Sequence, residues 1–153
     1  MHYILVVHGT WNAPDRNTRM WYQLDPADPT NFCHRLKQRL EANGLSGTVW
    51  PSPEGQLIDF VWSGENTHGA RCAAGDRLAD VIRQITREDP DAHIHLVGHS
   101  HGGNVVLRAA SELMRVGAST LSTITLLGTP FYRKVWYRNK VVDNVRRLPG
   151  VFA

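Results

Sequence analysis

Apolar positions recur along this chain in two alternating rhythms. Short apolar runs stand at Tyr3–Val7, Leu57–Trp62, Ile94–Val97 and Thr123–Leu127, each of strand length and followed by residues that break strands. Between them the apolar residues return every three or four positions. Phe32, Leu36 and Leu40 share a face of a helix predicted over about Thr30 to Asn43, with Gly44 at its stop. Ala74, Leu78, Val81, Ile82 and Ile85 form the stripe of a second helix, about Ala70 to Arg87. Val105, Val106, Ala109 and Leu113 do so for a third, about Gly102 to Val116. This alternation predicts an α/β fold, a three-layer, mostly parallel sheet of about four strands joined by crossover helices. Trp11 to Pro29 is polar and punctuated by proline, so it reads as a long loop. Long loops in compact domains tend to be functional, which makes Trp11, Trp21 and Tyr22 candidates for a lid or an apolar substrate mouth. After the last strand, Val135, Val141, Val142, Val145 and Leu148 among basic residues suggest an amphipathic helix or two.

Composition narrows the class. With 153 residues, 42% hydrophobic and 20% charged, and with no repeat or linker, residues 1–153 read as a single globular domain. The formal charge of +3 is unevenly placed: residues 131–153 carry six basic side chains against the single acid Asp143. This basic tail suits contact with an anionic surface, or a solvated face; no nucleic-acid motif accompanies it. Cys33 and Cys72 are too few for a disulfide framework and read as free thiols. No apolar stretch approaches the ~20 residues of a membrane helix, and the first residues lack a secretory leader's pattern. The expected location is therefore cytoplasmic by default.

The chemistry concentrates at Gly98-His99-Ser100-His101-Gly102-Gly103, between a strand and a helix. A G-x-S-x-G turn in that context holds a serine in strained backbone geometry, with small residues two positions to either side so that the chain can fold tightly. The hydroxyl then stands above a helix N-terminus, where the His101 amide and the helix dipole favour a developing oxyanion. Phosphate cradles are not indicated, since neither G-x-G-x-x-G nor a Walker-type loop occurs.

Three segments together resemble a known family. Val6-Val7-His8-Gly9-Thr10, Leu96-Val97-Gly98-His99-Ser100-His101-Gly102-Gly103 and Leu127-Gly128-Thr129-Pro130 are similar, in order and spacing, to landmarks of α/β-hydrolase lipases and PGAP1-like esterase domains. The resemblance spans about residues 4–130. It implies a chain running from the third to the sixth of the family's eight strands, in the spatial order 4-3-5-6. It implies that Ser100 attacks a carboxylic ester or lipid, that the amides of His101 and Thr10 form the oxyanion hole, and that no cofactor or metal is needed.

One element of such a site is missing. A serine hydroxyl requires a base, normally a histidine oriented by a carboxylate, and in this family both follow the serine in the chain. Here the only later histidine is the adjacent His101, and the only later carboxylates are Glu112 and Asp143. His8 and His68 are the substitute bases to consider, and the catalytic base and acid stay unassigned. The expectation is a fragment whose base lies elsewhere. Two rivals stand beside it: a degenerate hydrolase-like domain that binds an acyl or anionic partner without catalysis, and a metal-dependent hydrolase built on His93, His95, His99 and His101. Ser63, Asn66 and His68 are candidates for facing substrate, with loop and capping roles as the alternative.

Overall fold

The computed structural model describes residues 1–11, 20–25, 27–45, 47–50, 60–117, 121–137 and 140–145, with 47–50, 132–137 and 140–145 described as backbone only. The first strand, β1 (His2–Val7), is buried on both sides, which is why its sequence is a continuous apolar run instead of an alternating one. Tyr3, Leu5 and Val7 face one way, into the larger core, and Ile4 and Val6 the other. Helix α1 (Phe32–Ala42) follows, its first turn capped by the Asn31 side chain, which accepts from the His34 amide at 3.0 Å. It leads to β2 (Gly47–Trp50). Helix α2 (His68–Glu88), capped by Thr67, then crosses to β3 (His93–His99), and α3 (His101–Arg115) crosses to β4 (Leu121–Leu127).

These four strands form one parallel sheet in the order β2-β1-β3-β4. Leu78, Ile82, Val105, Val106 and Leu113 of α2 and α3 pack on one face, and Cys33, Leu36 and Leu40 of α1 on the other. The result is three layers, as expected. The chain leaves β1 toward β2 over one face and leaves β3 toward β4 over the other. The direction of winding therefore reverses between β1 and β3. In open parallel sheets the crevice at the carboxyl ends of such a strand pair is where ligands bind.

Two elements differ from the expected ones. The strand beside β1 is Gly47–Trp50 and not Leu57–Trp62. Residues 57–59 lie outside the described residues; Phe60 and Trp62 are buried and Val61 half-buried, and none of the three is paired in the sheet. Their apolar character serves packing: the Trp62 indole N–H donates to the His8 carbonyl at 2.8 Å, and Arg77 donates to the Val61 carbonyl at 2.7 Å. The second difference is at the tail, where the expected amphipathic helix is an antiparallel hairpin, β5 (Tyr132–Tyr137) with β6 (Lys140–Val145). Valines and aromatics fit a pleated strand better than a helix, whose preceding turn restricts their side chains. Leu148 lies outside the described residues. Among the described residues no helix is long and apolar enough to cross a membrane.

Candidate active site

The parallel register of β1 on β3, ending at Val7 opposite Gly98, carries both strands to the same sheet edge. Beyond that edge the chain must turn at once into α3. Ser100 makes the turn with φ 52° and ψ −129°, a conformation that L residues rarely adopt and that costs of order 1–3 kcal/mol. Its amide is tied to the Leu127 carbonyl at 2.8 Å, and its carbonyl accepts from the Gly103 amide at 3.0 Å. These bonds to β4 and α3 hold the strained residue in place. The side chain makes no capping bond to α3.

Close backbone packing explains the glycines around it. A Cβ on Gly102 would fall onto the carbonyl oxygens of Val7 and His8, so α3 can slide under the end of β1 only with glycine there. A Cβ on Gly9 would stand 2.8 Å from the Ser100 Cβ and 3.3 Å from its Oγ. The His8-Gly9-Thr10 turn therefore lies directly against the serine, with Thr10 one residue further on. His101 is the first residue of α3, in the turn whose amides have no partner within the helix. The structure thus brings Ser100, His101 and the Gly9-Thr10 turn together, the three places singled out from sequence.

The histidines are placed differently from one another. His8 is buried, 1% exposed, and its ring is stacked on Tyr22 at 4.4 Å and on Trp62 at 5.6 Å. Its Nδ1 donates to the Gly9 carbonyl at 2.7 Å, and its buried Nε2 has no hydrogen-bond partner. Burial holds its pKa below the usual histidine value, against the smaller opposing effect of its backbone hydrogen bonds. His8 is a neutral brace for the Gly9 turn; neither ring nitrogen engages Ser100. His68 lies exposed in the first turn of α2, its Nε2 3.4 Å from the Cys72 sulfur. His99 turns toward the α1 layer, edge-on to Trp21 at 5.1 Å. His101 lies near Asn104 (3.4 Å), and burial, then the positive Arg71, keep its pKa low. Among the described residues no side chain is hydrogen-bonded to the Ser100 hydroxyl.

His93 and His95 stand at the opposite end of β3, His95 about 16 Å along the strand from Ser100. They pack with His2, whose ring is 4.8 Å from His93 and whose Nδ1 is 2.9 Å from His95 Nε2. Among the described residues no group of three metal-ligating side chains is arranged to hold an ion. Of the four histidines in the metal reading, His93 and His95 thus stand apart from His99 and His101. Ser63 and Asn66 serve the loop before α2: Ser63 accepts from the Glu65 amide at 3.3 Å, and Asn66 from Arg71 at 3.0 Å. Tyr22 is completely buried and Trp21 half-buried, so of the three loop aromatics only Trp11 stays at the surface. Sequence reading passed over Trp62, which braces His8 from below, and Asn104, whose side chain donates to the Pro130 carbonyl at 3.1 Å and ties the end of β4 to α3. A polar residue in the first turn of an apolar helix was the available signal for Asn104.

Residues 4–152 match the model of the alpha/beta hydrolase family, and the chain belongs to that family. Among curated proteins it is similar to cutinases of two Hypocrea jecorina strains, Rut C-30 and QM6a, each 27% identical over 135 residues. The match takes in 82% of this chain and 50% of each relative, so the chain spans about half the length of the curated relatives it matches. No solved structure gives a significant match.

Proposed function

We propose that this chain carries the nucleophile and oxyanion site of a serine hydrolase acting on carboxylic esters. The observation that carries the proposal is the strained Ser100 at the reversal point of the sheet, with Gly9 packed against its Cβ and Oγ. Family membership and the cutinase relatives support an ester as substrate. In this reading Ser100 Oγ attacks the acyl carbon, and the negative charge that develops on the carbonyl oxygen is met by the amides of Thr10 and His101. Collapse of the tetrahedral adduct expels the alcohol, and water then releases the acid from the acyl-serine. The substrate is a small-molecule ester or a lipid.

The Ser100 proton must leave during attack, yet neither of the candidate bases, His8 and His68, is bonded to the hydroxyl. The 153-residue chain is therefore expected to turn over esters slowly, through oxyanion stabilisation without a relay. Added imidazole supplies the missing function from solution. Hydrolysis of p-nitrophenyl butyrate should accelerate with imidazole more steeply for the chain than for Ser100→Ala, which reports the solution background. Equal imidazole dependence for the two proteins would reject the proposal and leave a hydrolase-like binding domain.

A further inference from the structure

The most unusual surface residue in this molecule is Trp11. It is 80% exposed, and its φ is +56°, a region that bulky side chains rarely occupy. Apart from Ser100, it is the only non-glycine among the described residues with positive φ. A free surface tryptophan would relax out of such a conformation. This one is held in it, because its amide donates to the Gly64 carbonyl at 2.8 Å, from the loop that leads into α2. The strain accordingly belongs to the architecture of the turn and fixes where an apolar ring leaves the backbone.

Its position gives that ring a use. Trp11 follows Thr10, and its Cα is within about 7 Å of Gly9, which itself touches Ser100. On the other flank of Ser100, β4 ends at Leu127, whose carbonyl holds the Ser100 amide, and Phe131 follows at 40% exposure. In the sheet order β1 and β4 flank β3, so Trp11 follows the strand on one side of Ser100 and Phe131 the strand on the other. Tyr22 and Trp21, from the same loop as Trp11, are committed to packing on His8 and His99, which leaves Trp11 available.

From this geometry we infer that Trp11 is a specificity-determining residue, the platform on which an apolar hydrocarbon portion of the substrate rests beside Ser100. The inference builds on the proposed ester-hydrolase reading and adds the class of substrate: esters with an extended apolar chain, favoured over short ones. An indole face covering several methylenes gives an affinity gain of about tenfold or more over the truncated site. The exposed ring contributes little to the core, and glycine is at ease with positive φ, so Trp11→Gly removes the platform without harming the fold.

Binding of decanoate below its micelle concentration, followed by calorimetry, tests this without requiring turnover. The expected result is measurable binding by the parent chain, about tenfold or more weaker in Trp11→Gly, with a thermal midpoint in the variant that is equal or higher. Unchanged affinity in Trp11→Gly, or no binding by the parent, would overturn the inference. So would a lower midpoint, which would assign Trp11 to folding. The imidazole experiment reports separately on Ser100. Lost decanoate affinity with no Ser100-dependent hydrolysis would retain the platform and reject the hydrolase.

Discussion

Ser100 and His8 show how single residues here exchange stability for geometry. Ser100 accepts an unfavourable backbone because the Leu127 and Gly103 bonds hold it there, and this strain was legible from glycines at 98 and 102. The role of His8 was not, because a histidine after a strand looks the same whether it faces solvent or lies between Tyr22 and Trp62. Its partners come from segments 14 and 54 positions away, which no local pattern reveals. The buried, neutral ring has a thermodynamic consequence. Its folded pKa lies below the unfolded value near 6.5, so above that pH both states are neutral and no proton linkage acts. As pH falls from about 6.5 toward the folded value, the unfolded chain binds the proton first and stability declines. His95, also held low by burial and by its histidine neighbours, contributes in the same direction. Thermal midpoints at pH 7.5 and pH 5 should therefore differ, with the lower value at pH 5. His8→Phe, which keeps the aromatic stack and removes the titrating group, should shrink that difference, and an unchanged difference would contradict the assignment. A second prediction concerns Gly9. An added methyl would meet the Ser100 side chain, so Gly9→Ala should cost about 1–3 kcal/mol and disturb the serine's reactivity more than the fold. Chemical denaturation and labelling rates measured on one preparation separate the two effects.

At the scale of elements, the helices and most of the sheet were readable because each has one clear apolar period. The stripes of α2 and α3 appear in the larger core as expected, and β1, β3 and β4 contain the predicted strands. The errors arose where apolarity and strand pairing part company. Phe60 and Trp62 are buried, yet their segment is bonded through side chains, while Gly47–Trp50 pairs with β1 behind a weaker signal. The hairpin β5–β6 was mistaken because valines among charges match either period over a few residues. The seat of α3 under β1 yields the third prediction. Gly102→Ala places a methyl on two backbone carbonyl oxygens that cannot rotate away, so the helix must shift. The expected loss is about 3 kcal/mol or more, at the upper end for overpacking, against under 1 kcal/mol for alanine at the exposed Ser111. A midpoint for Gly102→Ala within a degree of the parent would show that the contact is relieved at little cost.

For the molecule as a whole, Ser100 lies at the point where the winding reverses between β1 and β3, a placement that the G-x-S-x-G motif alone does not reveal. Sequence supplied the segments; topology brings Gly9 against Ser100 and Leu127 onto its amide. Among the described residues no histidine is bonded to the Ser100 hydroxyl: His8 is enclosed and bonded to the Gly9 carbonyl, and His68 lies against Cys72. Reactivity at Ser100 should accordingly rest on backbone geometry. The most direct measurement is prolonged reaction with a fluorophosphonate at several pH values, followed by peptide mapping. The account predicts slow phosphonylation confined to Ser100, absent in Ser100→Ala, with a rate that rises with hydroxide and shows no plateau near pH 6.5. Labelling spread over the other six serines, or none at Ser100, would contradict it.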